Sequence, residues 1–369
     1  MIKIPKNVLD LKPYKAGKPI EELAREKGLT KIVKLASNEN PLGPSPKAVE
    51  TIKKYLNELH RYTNPSAYRL VHALAKKYDK KPGQIVTGSG SDSILQYIVT
   101  AFSDVDDEIL TSEGTFIGWY VNTDKYGRKS VKVPLKEYRF DLDGLIQNIN
   151  PKTKIIYLAN PNNPTGTMFT KKEFENFIAK VPKDILVVLD EAYTIYAESN
   201  PDYPNGLDFE LENLIVLRTL SKAYGLAGLR IGFAAGPEEL IKELYKVKLP
   251  FEPNILAQEA AITAIEDDEF LEKTKKQNGK SLKVMSKKFD QLGIEYVPTS
   301  ANFYLMLFPS EEITRKFNEE CLNRGLILRH VDSFGIPNGI RINSGTDEET
   351  SFAMDVIEKV YNNILVGHK

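Results

Sequence analysis

The chain has 369 residues, too many for one ordinary core, and its 41% hydrophobic and 27% charged content is that of a globular protein with about two domains to bury. Fifty Lys plus Arg against fifty Asp plus Glu leave no net charge, which argues against holding nucleic acid or a membrane surface by bulk electrostatics. A single cysteine, Cys321, excludes an internal disulfide framework and suits a reducing, cytoplasmic compartment, and four histidines without ligand spacing leave little for a metal site.

The first thirty residues carry neither the apolar stretch of a secretion signal nor a clear sheet signal, and residues 1–30 read as an arm packing on the small domain or on a partner. No later run reaches the length of a membrane span. From about 84 to 235 short apolar runs alternate with amphipathic stretches, so 31–250 reads as a large, doubly wound, mostly parallel α/β domain. The first informative turn is 87-TGSGSDSILQYIVTAF-102, in which Gly88 to Ser91 precede a helix with Ile94, Leu95, Ile98 and Val99 on one face. Small residues there expose backbone N–H groups to an anion, although an ordinary tight turn explains the motif equally well.

Residues 155–159 (IIYLA) read as a strand buried on both faces. The loop 160-NPNNPTG-166 that follows holds two Asn-Pro steps and a glycine, a rigidity that fixes the amide of Asn163, with a plain structural turn as the alternative. Residues 170–181 form a helix opened by a Thr170–Glu173 capping box, with Phe174, Phe177, Ile178 and Val181 on its buried face. The strand 185–189 (ILVVL) runs into Asp190, Glu191 and Tyr193; a carboxylate there is functional, an N-cap or a salt-bridge partner. After the strand 214–217 comes 219-TLSKAYGLAGLRIGF-233, where small residues surround Lys222 and Arg230. A lysine beside a fixed guanidinium in a poorly hydrated pocket becomes a nucleophilic amine, whereas on this segment alone a solvated lysine and a surface arginine are the simpler account. The linker 250-PFEPN-254 opens a smaller α+β domain over 251–369, with helical patterns around 255–291 and 351–364 and strands at 303–307, 326–328 and 340–342.

Phosphate-type turn, rigid Asn loop, strand-end Asp with Tyr, and Ser-Lys-x-x-Gly-x-x-Gly-x-Arg, in that order at the ends of one sheet, resemble the fold-type I pyridoxal phosphate enzymes of the aminotransferase branch. Within it, 11-LKPYKAGKPIEEL-23 and 34-KLASNENPLGPSP-46 are similar to the amino-terminal signature of histidinol-phosphate aminotransferases. The resemblance implies that Lys222 carries pyridoxal phosphate covalently, that Asp190 pairs with the pyridine nitrogen, and that Tyr193 and Asn163 hydrogen-bond the ring's phenolic oxygen. It implies a phosphate cradle of Ser91, Asp92, Thr219, Ser221 and Arg230, and a stacking ring from Phe116 in 113-EGTFIGWY-120. Tyr62, in 60-HRYTNP-65, resembles the tyrosine that reaches a neighbouring subunit's cofactor phosphate, which implies a homodimer with shared sites. Arg341 matches the arginine that holds the substrate's anionic end, and Arg329 and Tyr14 match positions that help bind the phosphate of histidinol phosphate. Asn38 lines the same mouth, although turn chemistry also explains it.

The expected activity is transfer of the amino group of L-histidinol phosphate to 2-oxoglutarate, a step of histidine biosynthesis, with ping-pong kinetics. Aromatic amino acid transamination or threonine-phosphate decarboxylation reuses nearly the same residues, and a silent regulator on the same fold is the alternative outside catalysis. The joint presence of Lys222, Asp190, Asn163 and Arg230 argues against that last reading.

Overall fold

The computed structural model describes residues 2–11 and 18–366. Its largest sheet has seven strands: β2 (Ile85–Gly88), β3 (Glu108–Ser112), β4 (Lys129–Val133), β5 (Thr153–Ala159), β6 (Leu186–Asp190), β7 (Leu214–Thr219) and β8 (Gly232–Ala235). They lie in the order β2-β8-β7-β6-β5-β3-β4, and only β8 runs antiparallel to its neighbours. Every residue of β2, β3 and β6 is buried, as both faces are covered by helices. The predicted capping box is present: Thr170 accepts from the Glu173 amide at 3.2 Å and Glu173 accepts from the Thr170 amide at 2.6 Å.

The remaining strands are β1 (Val33–Lys34), β9 (Glu295–Val297), β10 (Phe303–Leu307), β11 (Leu326–Ile327), β12 (Arg329–His330) and β13 (Gly339–Asn343). β12, β13, β10 and β9 form an antiparallel sheet, and β1 pairs in parallel with β11. The strand expected at 326–328 is thus divided, its first half joining β1 and the residues after it joining β13.

Two main apolar cores result. The first surrounds the seven-stranded sheet; the second holds Phe289, Met306, Phe317, Ile340, Ile342 and Ile357 under the helices Asp268–Leu292, Glu311–Asn323 and Asp347–Tyr361. The partition differs at both ends from a division at residues 30 and 250. Val33 and Leu35 pack in the second core, because β1 is a strand of that half. The helix Ile255–Ile265 packs in the first, where Ala257, Ala260, Ala261 and Ala264 let it approach the helices Pro46–Tyr55 and Tyr68–Lys77 closely. A smaller apolar cluster, with Leu305, Val331, Phe334 and Ile336, touches Ile117 and Tyr138 and so joins the two halves. No helix among the described residues is long and apolar enough to cross a membrane, and none of their His, Cys, Asp and Glu side chains group as a metal site.

Candidate active site

Parallel pairing sets Ala159 beside Asp190 and Asp190 beside Leu217, so the carboxyl ends of β5, β6 and β7 fall on one edge of the sheet. The chain leaving that edge lines a cavity of about 210 Å³, where ligands bind in sheets of this type. Asn38, Ser91, Asp92, Phe116, Asn163, Asp190, Tyr193, Thr219, Ser221, Lys222, Arg230, Arg329 and Arg341 all reach this cavity. Of the described candidates, Tyr62 alone does not appear in it. Tyr62 is 85% exposed and stacks on Phe251 with ring centroids 4.4 Å apart, and Tyr14 lies outside the described residues.

Lys222 Nζ donates to the Ser37 carbonyl at 3.0 Å. Burial, with the positive charges of Arg341 and Arg230, pulls its pKa down to about 8, against a weaker opposing pull from Glu39. The folded chain therefore gives up this proton more readily than the unfolded chain, and the contribution to stability grows as pH rises from 8 toward 10.5. Reductive methylation of the ligand-free protein across pH, read peptide by peptide, is expected to give half-maximal reactivity at Lys222 near pH 8. A midpoint near 10 there would remove Lys222 as a nucleophile.

Asp190 is the last residue of β6. Its carboxylate accepts from Tyr157 Oη at 2.8 Å and from the Ala192 amide at 3.1 Å. Burial pushes the group up to about 6 even though both bonds pull the other way. Asp92 stands in the first turn of the helix Ser91–Phe102; burial raises it too, opposed by Arg230 and Lys222, and its Oδ1 makes no hydrogen bond.

That helix starts at Gly90 without a side-chain cap, so its first amides are available to an anion. Gly90 has φ 81°, and a Cβ there would lie 2.6 Å from Arg230 Nη2. Only glycine lets that guanidinium approach the helix end so closely. Arg230 is itself left-handed, with φ 55°, and donates to the Ala227 carbonyl at 3.2 Å and to Ser221 Oγ at 3.5 Å.

The opposite wall comes from the second half of the fold. Ile340 and Ile342 pack in the second core, so alternation turns Arg341 between them to the other face. Arg341 donates to the Ala36 carbonyl at 2.7 Å and to Asn163 Oδ1. Arg329 sits opposite Arg341 in the β12–β13 ladder and therefore on the same face. The Phe334 ring lies 5.8 Å from one guanidinium and 5.9 Å from the other. Lys222, Arg230, Arg329 and Arg341 outnumber Asp92 and Asp190 in the lining, so the cavity favours anions.

Three contributors escape a reading of the sequence. Ala36 and Ser37 act through backbone carbonyls, which no side-chain motif marks. Phe334 ends a single 3-10 turn, Asp332–Phe334, too short to leave a periodic signal. Tyr157 had a faint one: a phenol inside a fully buried strand needs a partner, and Asp190 is that partner.

The family model described as Aminotransferase class I and II matches residues 30–357. A histidinol-phosphate aminotransferase 2 of Carboxydothermus hydrogenoformans is 39% identical over 97% of this chain and 99% of its own length. The histidinol-phosphate aminotransferase of Caldicellulosiruptor saccharolyticus is 41% identical over 95% and 98%. Among solved structures, histidinol-phosphate aminotransferase from Sinorhizobium meliloti, in complex with pyridoxal-5'-phosphate, superposes with a TM-score of 0.90 at 26% identity, covering 98% of both chains.

Proposed function

The chain belongs to the class I and II aminotransferases, in the histidinol-phosphate aminotransferase family, and from that premise we propose that it transfers the amino group of L-histidinol phosphate to 2-oxoglutarate, giving imidazole acetol phosphate and glutamate. The observation that carries the reading is a depressed lysine amine in one cavity with a buried strand-end carboxylate and three arginines.

The lining fits pyridoxal phosphate. The uncapped helix start beside Arg230, with room kept by Gly90, suits its phosphate, and buried Asp190 suits a protonated ring nitrogen. When bound, the cofactor supplies an electron sink that no side chain offers. Ser91, Asp92, Thr219, Ser221 and Arg230 hold its phosphate, Phe116 covers the ring, and Asn163 and Tyr193 reach its phenolic oxygen. Lys222 would hold the cofactor covalently. Its amine, once free, would be the base that takes the proton from the donor's α-carbon. Arg341 and Arg329, side by side on one sheet face, bind the phosphate of the amino donor and, in the second half-reaction, the carboxylates of 2-oxoglutarate. One pocket serving both substrates in turn gives ping-pong kinetics.

The same reading makes the active unit a homodimer, in which Tyr62 of one copy reaches the cofactor phosphate of the other. Exposed Leu59, Tyr62, Leu249 and Phe251 give that contact apolar surface. It also divides the protein into a sheet-bearing large domain and a smaller carboxyl-terminal domain with the pocket between them, at work in the reducing cytoplasm that the lone buried Cys321 suits.

Adding L-histidinol phosphate to cofactor-loaded protein, with no oxo acid, is expected to bleach the yellow absorbance, and 2-oxoglutarate to restore it. Yellow protein that does not bleach keeps the cofactor chemistry and moves the substrate to aromatic amino acids or threonine phosphate.

A further inference from the structure

Asn38 has φ 56°, a left-handed conformation that Asn adopts more readily than most residues. Its backbone is clamped from two sides: the N–H donates to Asn343 Oδ1 at 3.0 Å, and the carbonyl accepts from Asn302 Nδ2 at 3.2 Å. The side chain is only 1% exposed, and its Nδ2 donates to Tyr193 Oη at 2.8 Å. Three of the residue's four polar groups are thus committed inside the protein.

A phenol oxygen that accepts an amide N–H directs its own proton elsewhere. Tyr193 opens into the cavity that Lys222 and Asn163 line. We infer that Asn38 is a positioning residue: its amide occupies the acceptor side of Tyr193 and so commits the Tyr193 hydroxyl to donate into the site, at the phenolic oxygen of the bound cofactor ring. This rests on the reading that the site takes pyridoxal phosphate. A donor there favours the phenolate and lets the bound chromophore lose its proton at lower pH.

The variant that tests this is Asn38→Asp, which keeps the shape, tolerates the left-handed backbone and, when ionised, only accepts. It takes the Tyr193 proton for itself. The readout is the pH midpoint of the chromophore absorbance in cofactor-loaded protein, and Asn38→Asp is expected to raise it by about one unit. In a Tyr193→Phe background the same substitution is expected to leave the midpoint where Tyr193→Phe alone puts it. An undiminished rise in that background would assign the effect to the added carboxylate charge and overturn the inference, as would an unmoved midpoint in Asn38→Asp itself. Asn38→Gly, which accepts a left-handed φ without strain, is expected to give a smaller rise that again vanishes with Tyr193→Phe, and covers the case in which the Asp variant does not fold. Unsubstituted protein that stays colourless with pyridoxal phosphate overturns the cofactor reading itself. Yellow protein whose midpoint ignores Asn38 overturns only the role given to this residue.

Discussion

Lys222→Ala is expected to abolish transamination, with a loss of about 10⁴-fold or more, while the protein stays folded. In the proposed reaction the lost amine both holds the cofactor and moves the proton, and positioned proton transfer alone contributes about 10²- to 10⁴-fold. The structural cost is small by comparison. Lys222 Nζ donates to one protein group, the Ser37 carbonyl, and a lost hydrogen bond of this kind costs about 1 kcal/mol. The check is steady-state turnover beside a thermal melt; activity above about 1% of the parent, a loss smaller than the low end of what proton transfer alone contributes, would contradict the role.

Asp190→Asn is expected to cut turnover by about 10²- to 10³-fold, and it carries a second signature of opposite sign. The carboxamide oxygen can still accept from the Ala192 amide, and the carboxamide NH2 can donate to Tyr157 Oη once that hydroxyl turns, so the side chain keeps its place. What disappears is the negative charge that the proposed function sets opposite a protonated ring nitrogen, and breaking a buried pair costs about 3–5 kcal/mol, at 1.36 kcal/mol per tenfold. In the cofactor-free protein the same charge is a burden. Asp190 titrates near 6 when folded against 3.8 in the unfolded chain, so the folded state holds the proton more tightly and stability falls as pH rises through that window. Above pH 6 the cofactor-free Asn variant is therefore expected to be more stable than the parent, by up to ~3 kcal/mol. Denaturant unfolding at pH 5 and pH 8 reads this: the gap should be larger at pH 8. Equal gaps at the two values would mean that the carboxylate is not held in the environment described.

The parts of this design legible in the sequence are those written in short-range chemistry. The runs 155–159, 185–189 and 214–217 announce strands because both faces must be apolar, and Asp190 stands out because it ends one of them. The glycines and serines before Ile94 announce a helix start, and Thr170 with Glu173 announces another. What stays hidden depends on backbone groups and on distant packing. No pattern in 34-KLASNENP-41 says that the carbonyls of residues 36 and 37 will meet Arg341 and Lys222. The helix Ile255–Ile265 is buried nearly all round, so it lacks the polar stripe that tells which half of a protein a helix serves. Tyr62 illustrates a third limit: it is exposed in the single chain, so the place proposed for it in the site would depend on a second copy.

The segment that carries Leu35 to Asn38 has a further consequence, for the order in which the protein is made. Its hydrogen-bond partners Arg341 and Asn343 are synthesised much later, each bond bridging 305 positions. The seven-stranded sheet is complete once residue 235 has emerged, so a scaffold can fold well before it has a binding wall. Closing so long a loop is the slow and entropically dear step, and here it is the step that creates the pocket. A product cut short before residue 341 would thus keep the strands of the sheet and lack the wall that grips a substrate.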